Sequence, residues 1–241
     1  MTDILAIGAH PDDLELSCGA TLAKLIQRGH SVVLADLTRG ELGTRGTAEI
    51  RLREASKAAE ILGVRDRRNL LLPDGNLEKT QTNVRTVIAL IRDVKPRMMI
   101  IPHSFDRHPD HSHAHTLCRE AWFYSGLAKI PTELNGKQQA PHRPDIWFEF
   151  MQWHEFEPSI IVDVSETWEI KMMAVRAYES QLHSPKADEP ETKLSSPQFL
   201  DLVEARGRAY GEKIGVRYGE PFRSPAPLGV HDLFHLVHTR A

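Results

Sequence analysis

Two short segments concentrate the residues able to do chemistry. Ala9-His10-Pro11-Asp12-Asp13 carries one imidazole and two carboxylates, and Arg107-His108-Pro109-Asp110-His111 carries two imidazoles, a carboxylate and a guanidinium. His, Asp and His suit a catalytic zinc, which commonly takes three protein ligands and keeps a position for water. Zinc makes water a nucleophile near neutral pH and polarises a carbonyl oxygen. A carboxylate off the metal can take the water proton, and a free imidazole can stabilise an oxyanion or protonate a leaving nitrogen. The rival reading of the first turn is helix capping, since an Asp just before a helix is often only an N-cap. Two Asp residues cannot both fill that position, and the second turn repeats His, Pro and Asp. Together they favour chemistry. Spacing leaves open which of Asp12 and Asp13 binds metal. It also leaves open whether His111 pairs with His115, four residues on, as in a His-x-x-x-His site.

Each segment needs a strand before it and a helix after it. Ile4–Ala9 is a short apolar run that reads as a buried parallel strand, and Leu14, Cys18, Leu22 and Leu25 mark the inner face of a helix ending at Gly29. Ser31–Leu37 is the second strand. The glycine-rich loop Thr38–Gly46 lacks the Gly-Lys-Ser/Thr ending of a phosphate loop and contains Glu41. Leu52, Ala55, Ala59 and Leu62 predict a helix ending at Gly63, Asn69–Leu72 a third strand, and Pro73-Asp74-Gly75 its turn. Val84, Val87, Ile88 and Ile91 give a further helix stopped by Pro96, and Met98–Pro102 leads into the second histidine turn and a helix over 112–124. This rhythm predicts an α/β, Rossmann-like fold, with a mostly parallel sheet and helices on both faces. In such sheets ligands bind beyond the carboxyl ends of the strands, where both turns fall. Residues 127–145 read as a loop, Ile146–Trp153 and Ile160–Val164 as strands, and 168–181 and 198–214 as helices. Residues 183–197 read as a surface loop, and the tail shows no clear period. The whole, 1–241, reads as one domain, with a core over about 1–126 and a C-terminal part over about 127–241.

Composition narrows the class. The 241 residues are 41% hydrophobic and 26% charged, with a formal net charge of −3, which offers no electrostatic case for a nucleic-acid partner. No apolar run approaches the ~20 residues of a membrane helix, and no secretory signal is evident. Cys18 and Cys118 suggest no disulfide framework. A cytoplasmic enzyme is the expected class. His231, His235 and His238 have helical spacing but no carboxylate-rich turn beside them, so a second metal site there is disfavoured.

The paired motifs resemble those of the LmbE/PIG-L family of zinc-dependent N-deacetylases. The likeness extends through Thr38–Gly46, Arg51–Ala55, Leu72–Asp74, Ala177–Gln181 and Gly215–Phe222. Within the family the chain most resembles the bacillithiol-pathway deacetylases that act on N-acetylglucosaminyl malate. The resemblance implies one zinc per chain on His10, Asp13 and His111, with another divalent ion as an alternative. It also implies Asp12 as general base, His108 as oxyanion stabiliser or acid, and Asp110 as the group orienting an imidazole. Glu41, Arg51 and Asp74 match sugar-contacting positions, Arg107 is a further contact, and Arg51 is the expected fork for malate. His115 falls outside the pattern. Phe199 stands where some relatives have a tyrosine, which leaves Tyr178 or Tyr210 to fill that role or the role absent. The implied partner is a small N-acetylglucosamine conjugate, and the implied assembly a trimer or hexamer. The alternatives are a chitin disaccharide or another thiol precursor as substrate, or a non-catalytic sugar- or nucleotide-binding module. The first turn disfavours the module, since carboxylates stand where a pyrophosphate would sit.

Overall fold

A computed structural model describes residues 2–185, 188–233 and 236. His235 and His238 lie outside the described residues. The chain runs β1 (Thr2–Gly8), α1 (Asp13–Gln27), β2 (Val32–Asp36), α2 (Ala48–Leu62), β3 (Asp66–Asn69), α3 (Gln81–Val94), β4 (Pro96–Pro102) and α4 (Pro109–Ser125). A two-residue-per-strand hairpin, β5 (Glu133–Leu134) and β6 (Lys137–Gln138), interrupts the expected 127–145 loop. Then come β7 (Ile146–Phe150), β8 (Ile160–Asp163), α5 (Trp168–Arg176), α6 (Phe199–Glu212) and β9 (Gly219–Arg223).

Seven strands form one sheet in the order β3-β2-β1-β4-β7-β9-β8. The first five are mutually parallel, and β9 runs antiparallel to both its neighbours. The Rossmann-like reading therefore holds, with a mixed far edge. Side chains alternate across the strands, as the two-residue period requires. Leu5 and Ile7 join Val33, Met99 and Ile101 under α3 and α4. Ile4 and Ala6 join Leu34, Ile100 and Phe148 under the other helices. A parallel sheet needs both faces covered, and this alternation supplies two cores. Successive strands step one way from β1 to β3 and the other way from β4 onward. The order reverses between β1 and β4, and the crevice at such a reversal is where open α/β sheets bind ligands. Both histidine turns leave the carboxyl ends of these two strands. Among the described residues no helix is long and apolar enough to cross a membrane.

Some sequence expectations shift. Leu52 is 53% exposed, and the buried face of α2 is Arg51, Ala55, Ala58, Ala59 and Leu62. Arg51 is drawn inward by the acidic turn it meets, a pull that apolar periodicity does not register. The third strand is Asp66–Asn69, four residues of ionic character, rather than Asn69–Leu72. Arg67 bridges Asp36 on β2 to the fully buried Glu15 on α1, so ion pairs replace the apolar anchors that a strand pattern seeks. Helix α5 ends at Arg176, short of the expected 181. The tail, read as irregular, contributes β9 to the sheet.

Strand β9 also reaches into α1. That helix loses helical geometry at Cys18 (φ −138°, ψ 15°), which frees amides on its second half. Glu220 Oε2 accepts Thr21 N–H at 2.7 Å and Oε1 accepts Ala20 N–H at 3.2 Å. Lys171 Nζ donates to Glu220 Oε1 at 2.6 Å, and both side chains are buried. A buried carboxylate stripped of its cation is costly. Lys171→Met should therefore lower stability by roughly 3–5 kcal/mol in urea denaturation. A loss below ~1 kcal/mol, the scale of one net hydrogen bond, would mean that the two amides alone satisfy Glu220.

Candidate active site

Asp13 opens α1 and folds back on its own turn. Its Oδ2 accepts Ala9 and His10 backbone N–H groups, each at 2.9 Å. Its Oδ1 lies 3.2 Å from His111 Nε2 and accepts Gln152 Nε2 at 2.7 Å. His10 Nδ1 is 3.7 Å from Asp13 Oδ2. His10 Nε2 instead faces Asp74 Oδ1 at 3.0 Å and Asp110 Oδ2 at 3.4 Å. His111 turns Nδ1 to Asp106 Oδ1 at 2.9 Å. His108 is the N-cap of α4, and its Nδ1 accepts the Asp110 amide at 3.2 Å. Pro109 sits at the first helical position, where its missing N–H costs nothing. The three rings gather closely, with centroids 4.7 Å apart for His10 and His108, 5.1 Å for His108 and His111 and 5.5 Å for His10 and His111.

Asp12 is the N-cap of α1 by place, yet its side chain makes no capping bond. Its backbone is left-handed, at φ 106° and ψ −26°, a strained conformation outside glycine that tends to persist at functional sites. The strain turns the carboxylate to Arg51, whose Nη2 lies 3.0 Å from Oδ2. Arg51 also donates to Pro11 O and, at 3.2 Å, to Gly40 O. A Cβ on Gly40 would lie 1.9 Å from Arg51 Nη1, so this loop residue must be glycine for the guanidinium to fit. Burial pushes the Asp12 carboxyl up to about 7, Arg51 pulls against it, and adjacent Asp13 adds to the rise. For Asp13, burial also acts upward, but His111 and His10 overcome it and hold the carboxyl well below the usual range. Burial lowers His108, with His10 and His111 acting the same way.

The cluster suits a divalent cation. Nitrogens of His10, His108 and His111 lie within 4.8 Å of one another, and His10, Asp74 and Asp110 form a second such group. The carboxylates of Asp12, Asp13, Asp74, Asp106 and Asp110 are all within this buried region, where Arg51 is the one guanidinium paired with any of them in the described structure. The rings differ in one respect. His10 and His111 each back onto a carboxylate, the arrangement that fixes tautomer and raises basicity in metal-binding imidazoles. His108 backs onto an amide N–H.

His10, Asp12, Asp13, His108 and His111 line a cavity of about 390 Å³ together with Asp74, Arg107, Gln152, Trp153, Phe199 and Arg206. Of the expected sugar contacts, Asp74 and Arg107 face this space. Arg107 is exposed, with its guanidinium 4.9 Å from the Trp153 ring centre. Arg51 lines the cavity too, but its terminal nitrogens are committed to Asp12 and two carbonyls rather than standing free as a carboxylate fork. Glu41 is not among the lining residues; it accepts Arg39 and Asp74 backbone N–H groups at 3.1 Å each and so braces the loop. Phe199 packs toward Trp153, with ring centres 6.3 Å apart, while Tyr178 and Tyr210 do not line the cavity. His115 is set apart: its Nδ1 faces Pro102 O at 3.0 Å and Glu149 at 3.7 Å. Sequence reasoning missed Asp106, Gln152, Trp153 and Arg206. Asp106 lies two residues before His108. Gln152 and Trp153 follow the apolar core of a strand, the place already flagged for the two turns.

The family model described as "PIG-L: GlcNAc-PI de-N-acetylase" matches residues 5–122. The diacetylchitobiose deacetylase of Thermococcus kodakarensis is 30% identical over 239 residues, 95% of this chain and 85% of its own. The chain belongs to the PIG-L deacetylase family. A 1D-myo-inositol 2-acetamido-2-deoxy-alpha-D-glucopyranoside deacetylase of Nocardiopsis dassonvillei, another protein similar to this one, is 33% identical over 53% of this chain and 57% of its own. The solved structure of a conserved protein from Thermus thermophilus superimposes with a TM-score of 0.86 at 36% identity, covering 100% of both chains. The PIG-L match spans both histidine turns. Gln152, Trp153, Phe199 and Arg206 lie beyond it.

Asp106 joins these two parts. Besides His111, it accepts Trp153 N–H at 2.8 Å and His154 N–H at 3.1 Å through Oδ2. Burial acts to raise its carboxyl, but His111 and the two amides prevail and hold it at about 2. Set against an ordinary value of ~3.9, that contributes roughly 2–3 kcal/mol to folding at neutral pH. The folded value is depressed, so the contribution is complete above pH ~4 and lost as pH falls through about 2. Asp106→Asn should be less stable than the parent by that order at pH 7, with the gap narrowing from pH 4 to pH 2 in denaturant titrations. A gap independent of pH would remove the carboxylate's charge from the account.

Proposed function

We propose that the chain is a metal-dependent N-deacetylase that hydrolyses the acetamido group of an N-acetylglucosamine conjugate, with zinc as its metal. The observation that carries this reading is the convergence of His10, Asp13 and His111 beside the strained Asp12 and the ring of His108. His10, Asp13 and His111 are the ligand set, because each of these imidazoles is backed by a carboxylate. Bound zinc would supply Lewis acidity, lowering the pKa of water and polarising the acetyl carbonyl.

The protein's own groups do the rest. Asp12 accepts the proton of the attacking water, and a base near pH 7 suits that task. Arg51 positions the Asp12 carboxylate and keeps its oxygen aimed from a fixed backbone. His108 accepts the Asp110 amide at Nδ1, so its neutral ring carries the proton on Nε2 and can donate to the developing oxyanion. The proton held on Asp12 then passes to the departing amine, leaving acetate and a free amino sugar. Asp74 and Asp110 orient His10, and Asp106 orients His111.

Relatives named for diacetylchitobiose and for a glucosaminyl inositol support an N-acetylglucosamine unit in the cavity and leave the aglycone open. A malate aglycone is a second reading, favoured by Arg107, which is exposed at the cavity and has no carboxylate partner among the described residues. Acetate release from diacetylchitobiose, N-acetylglucosaminyl inositol and N-acetylglucosaminyl malate separates them. Turnover of the malate compound above the others, reduced selectively by Arg107→Ala, supports malate; equal loss on all three removes Arg107 from aglycone recognition.

Asp12→Asn should retain metal and lose ~10²–10⁴ in turnover, the usual weight of a general base. His10→Ala and His111→Ala should lose metal in elemental analysis, while His115→Ala should keep it. Near-normal activity in metal-replete Asp12→Asn would transfer the base role elsewhere.

A further inference from the structure

Arg206 lies on the face of α6 that closes the cavity. Phe199, Leu202, Val203 and Arg206 follow one another at helical spacing, and all four line that space. The other three are apolar, so this face of the helix offers the guanidinium no partner. Arg206 Nη1 donates to Gln152 O, and among the described residues no carboxylate lies within ion-pair distance. Burial lowers its pKa, against the weaker pull of Glu155, Tyr210 and Asp106. The other enclosed arginines are matched. Arg45 meets Glu189, Arg51 meets Asp12, and Arg67 meets Glu15 and Asp36. Arg92 has no carboxylate, but it donates to Ser125, Ile130, Thr132 and Leu127 oxygens. A guanidinium carries five N–H donors, and a single carbonyl leaves most of them over. Taking such a charge out of water without a counter-ion is costly. Half-buried Arg206 therefore stands at the cavity as an unmatched cation.

We propose that Arg206 is the fork that selects the aglycone, and that the preferred substrate is a 2-acetamido sugar whose aglycone carries two neighbouring negative charges, as a dicarboxylate or a phosphate. Gln152 ties Arg206 to the reaction centre: its carbonyl takes the guanidinium, and its side chain touches Asp13 and His111. In a 2-acetamido sugar the aglycone leaves C1, the carbon next to the one that bears the reacting nitrogen. Its first charged group therefore falls close to that centre, where Arg206 is held. The planar fork matches two oxygens of a carboxylate or phosphate at once. Arg107 stands on the next residue, Trp153, with its guanidinium 4.9 Å from the ring centre, and Lys193 Nζ lies 4.4 Å from the same centre. Both are exposed. Three cations thus gather at Gln152 and Trp153, which favours a group with more than one negative charge. The inference rests on the N-deacetylase reading above. It gives Arg206 the task that the family resemblance implies for Arg51, whose nitrogens are committed to Asp12 and two carbonyls.

The test compares the zinc-loaded parent, Arg206→Lys and Arg206→Met. Acetate release is followed from N-acetylglucosaminyl malate, N-acetylglucosamine 1-phosphate and methyl N-acetylglucosaminide, whose C1 groups carry a dicarboxylate, a phosphate and no charge. The parent should favour at least one anionic compound over the methyl glycoside. In Arg206→Met the ratio of kcat/KM for that compound to kcat/KM for the methyl glycoside should fall about ten- to hundredfold, the span of one charge-assisted contact. The loss should fall on KM, and added salt should weaken the parent's preference more than the variant's. Lysine keeps a donor for the Gln152 carbonyl but not the fork, so Arg206→Lys should recover only part of the ratio. That variant also separates loss of anion binding from loss of the tie between α6 and the end of β7. Equal losses on all three compounds, an unchanged ratio in both variants, or full recovery by lysine overturns the inference and leaves deacetylation standing. So does a parent that prefers the methyl glycoside. A parent that releases acetate from none of the three overturns the deacetylase reading itself.

Discussion

The Asp13 carboxylate is the interaction on which the site depends. One oxygen closes the turn after β1 by taking the Ala9 and His10 amides. The other faces His111 from the turn after β4 and Gln152 from the end of β7. One side chain thus ties together three adjacent strand ends of the sheet. A neutral residue could satisfy the amides but would remove one of the carboxylates that face His111 and His10. Those two imidazoles hold Asp13 ionised despite its burial, so charge and geometry depend on each other.

From this anchor the neighbouring roles separate. Asp12 and Asp13 are adjacent carboxylates in one buried turn, and two like charges there cannot be equally favourable. The backbone resolves the conflict by turning Asp12 into a left-handed conformation, away from the rings and toward Arg51. One carboxylate stays ionised between imidazoles, while the other titrates near neutrality beside a guanidinium. Such a split between neighbouring acids is what acid–base work requires. Capping preference, the rival explanation for Asp12, is met by its place in the chain and contradicted by its side chain.

Much of this was legible in the sequence because it is local. The strand before each turn, the helix after it and the crowded His, Pro and Asp residues lie within short windows, and periodicity reads such windows well. Reversal of the strand order between β1 and β4 then brings the windows together. What escaped notice depends on partners far along the chain. Arg51 was placed at the site as a substrate contact, and only its partner Asp12, 39 residues earlier, shows its guanidinium to be committed within the protein. Gly219–Arg223, with Gly and Pro in a short segment, looked irregular until β7 and β8 supplied partners on both sides. Gln152 and Asp106 belong to types common on surfaces, and only contact with Asp13 or His111 distinguishes them.

Glu220 has a consequence for how the enzyme is made. The helix that carries Asp13 is broken at Cys18, and its second half is capped by a carboxylate 199 residues downstream of Thr21. The polypeptide is synthesised from the amino end. The parallel strands can therefore emerge and pair while the helix leading from the first histidine turn still lacks its cap. Its exposed amides wait until β9 has left the ribosome. Loop closure over such a separation is slow compared with local helix formation. Biosynthesis thus carries a built-in order, in which the five parallel strands are made before the first histidine turn is fully braced.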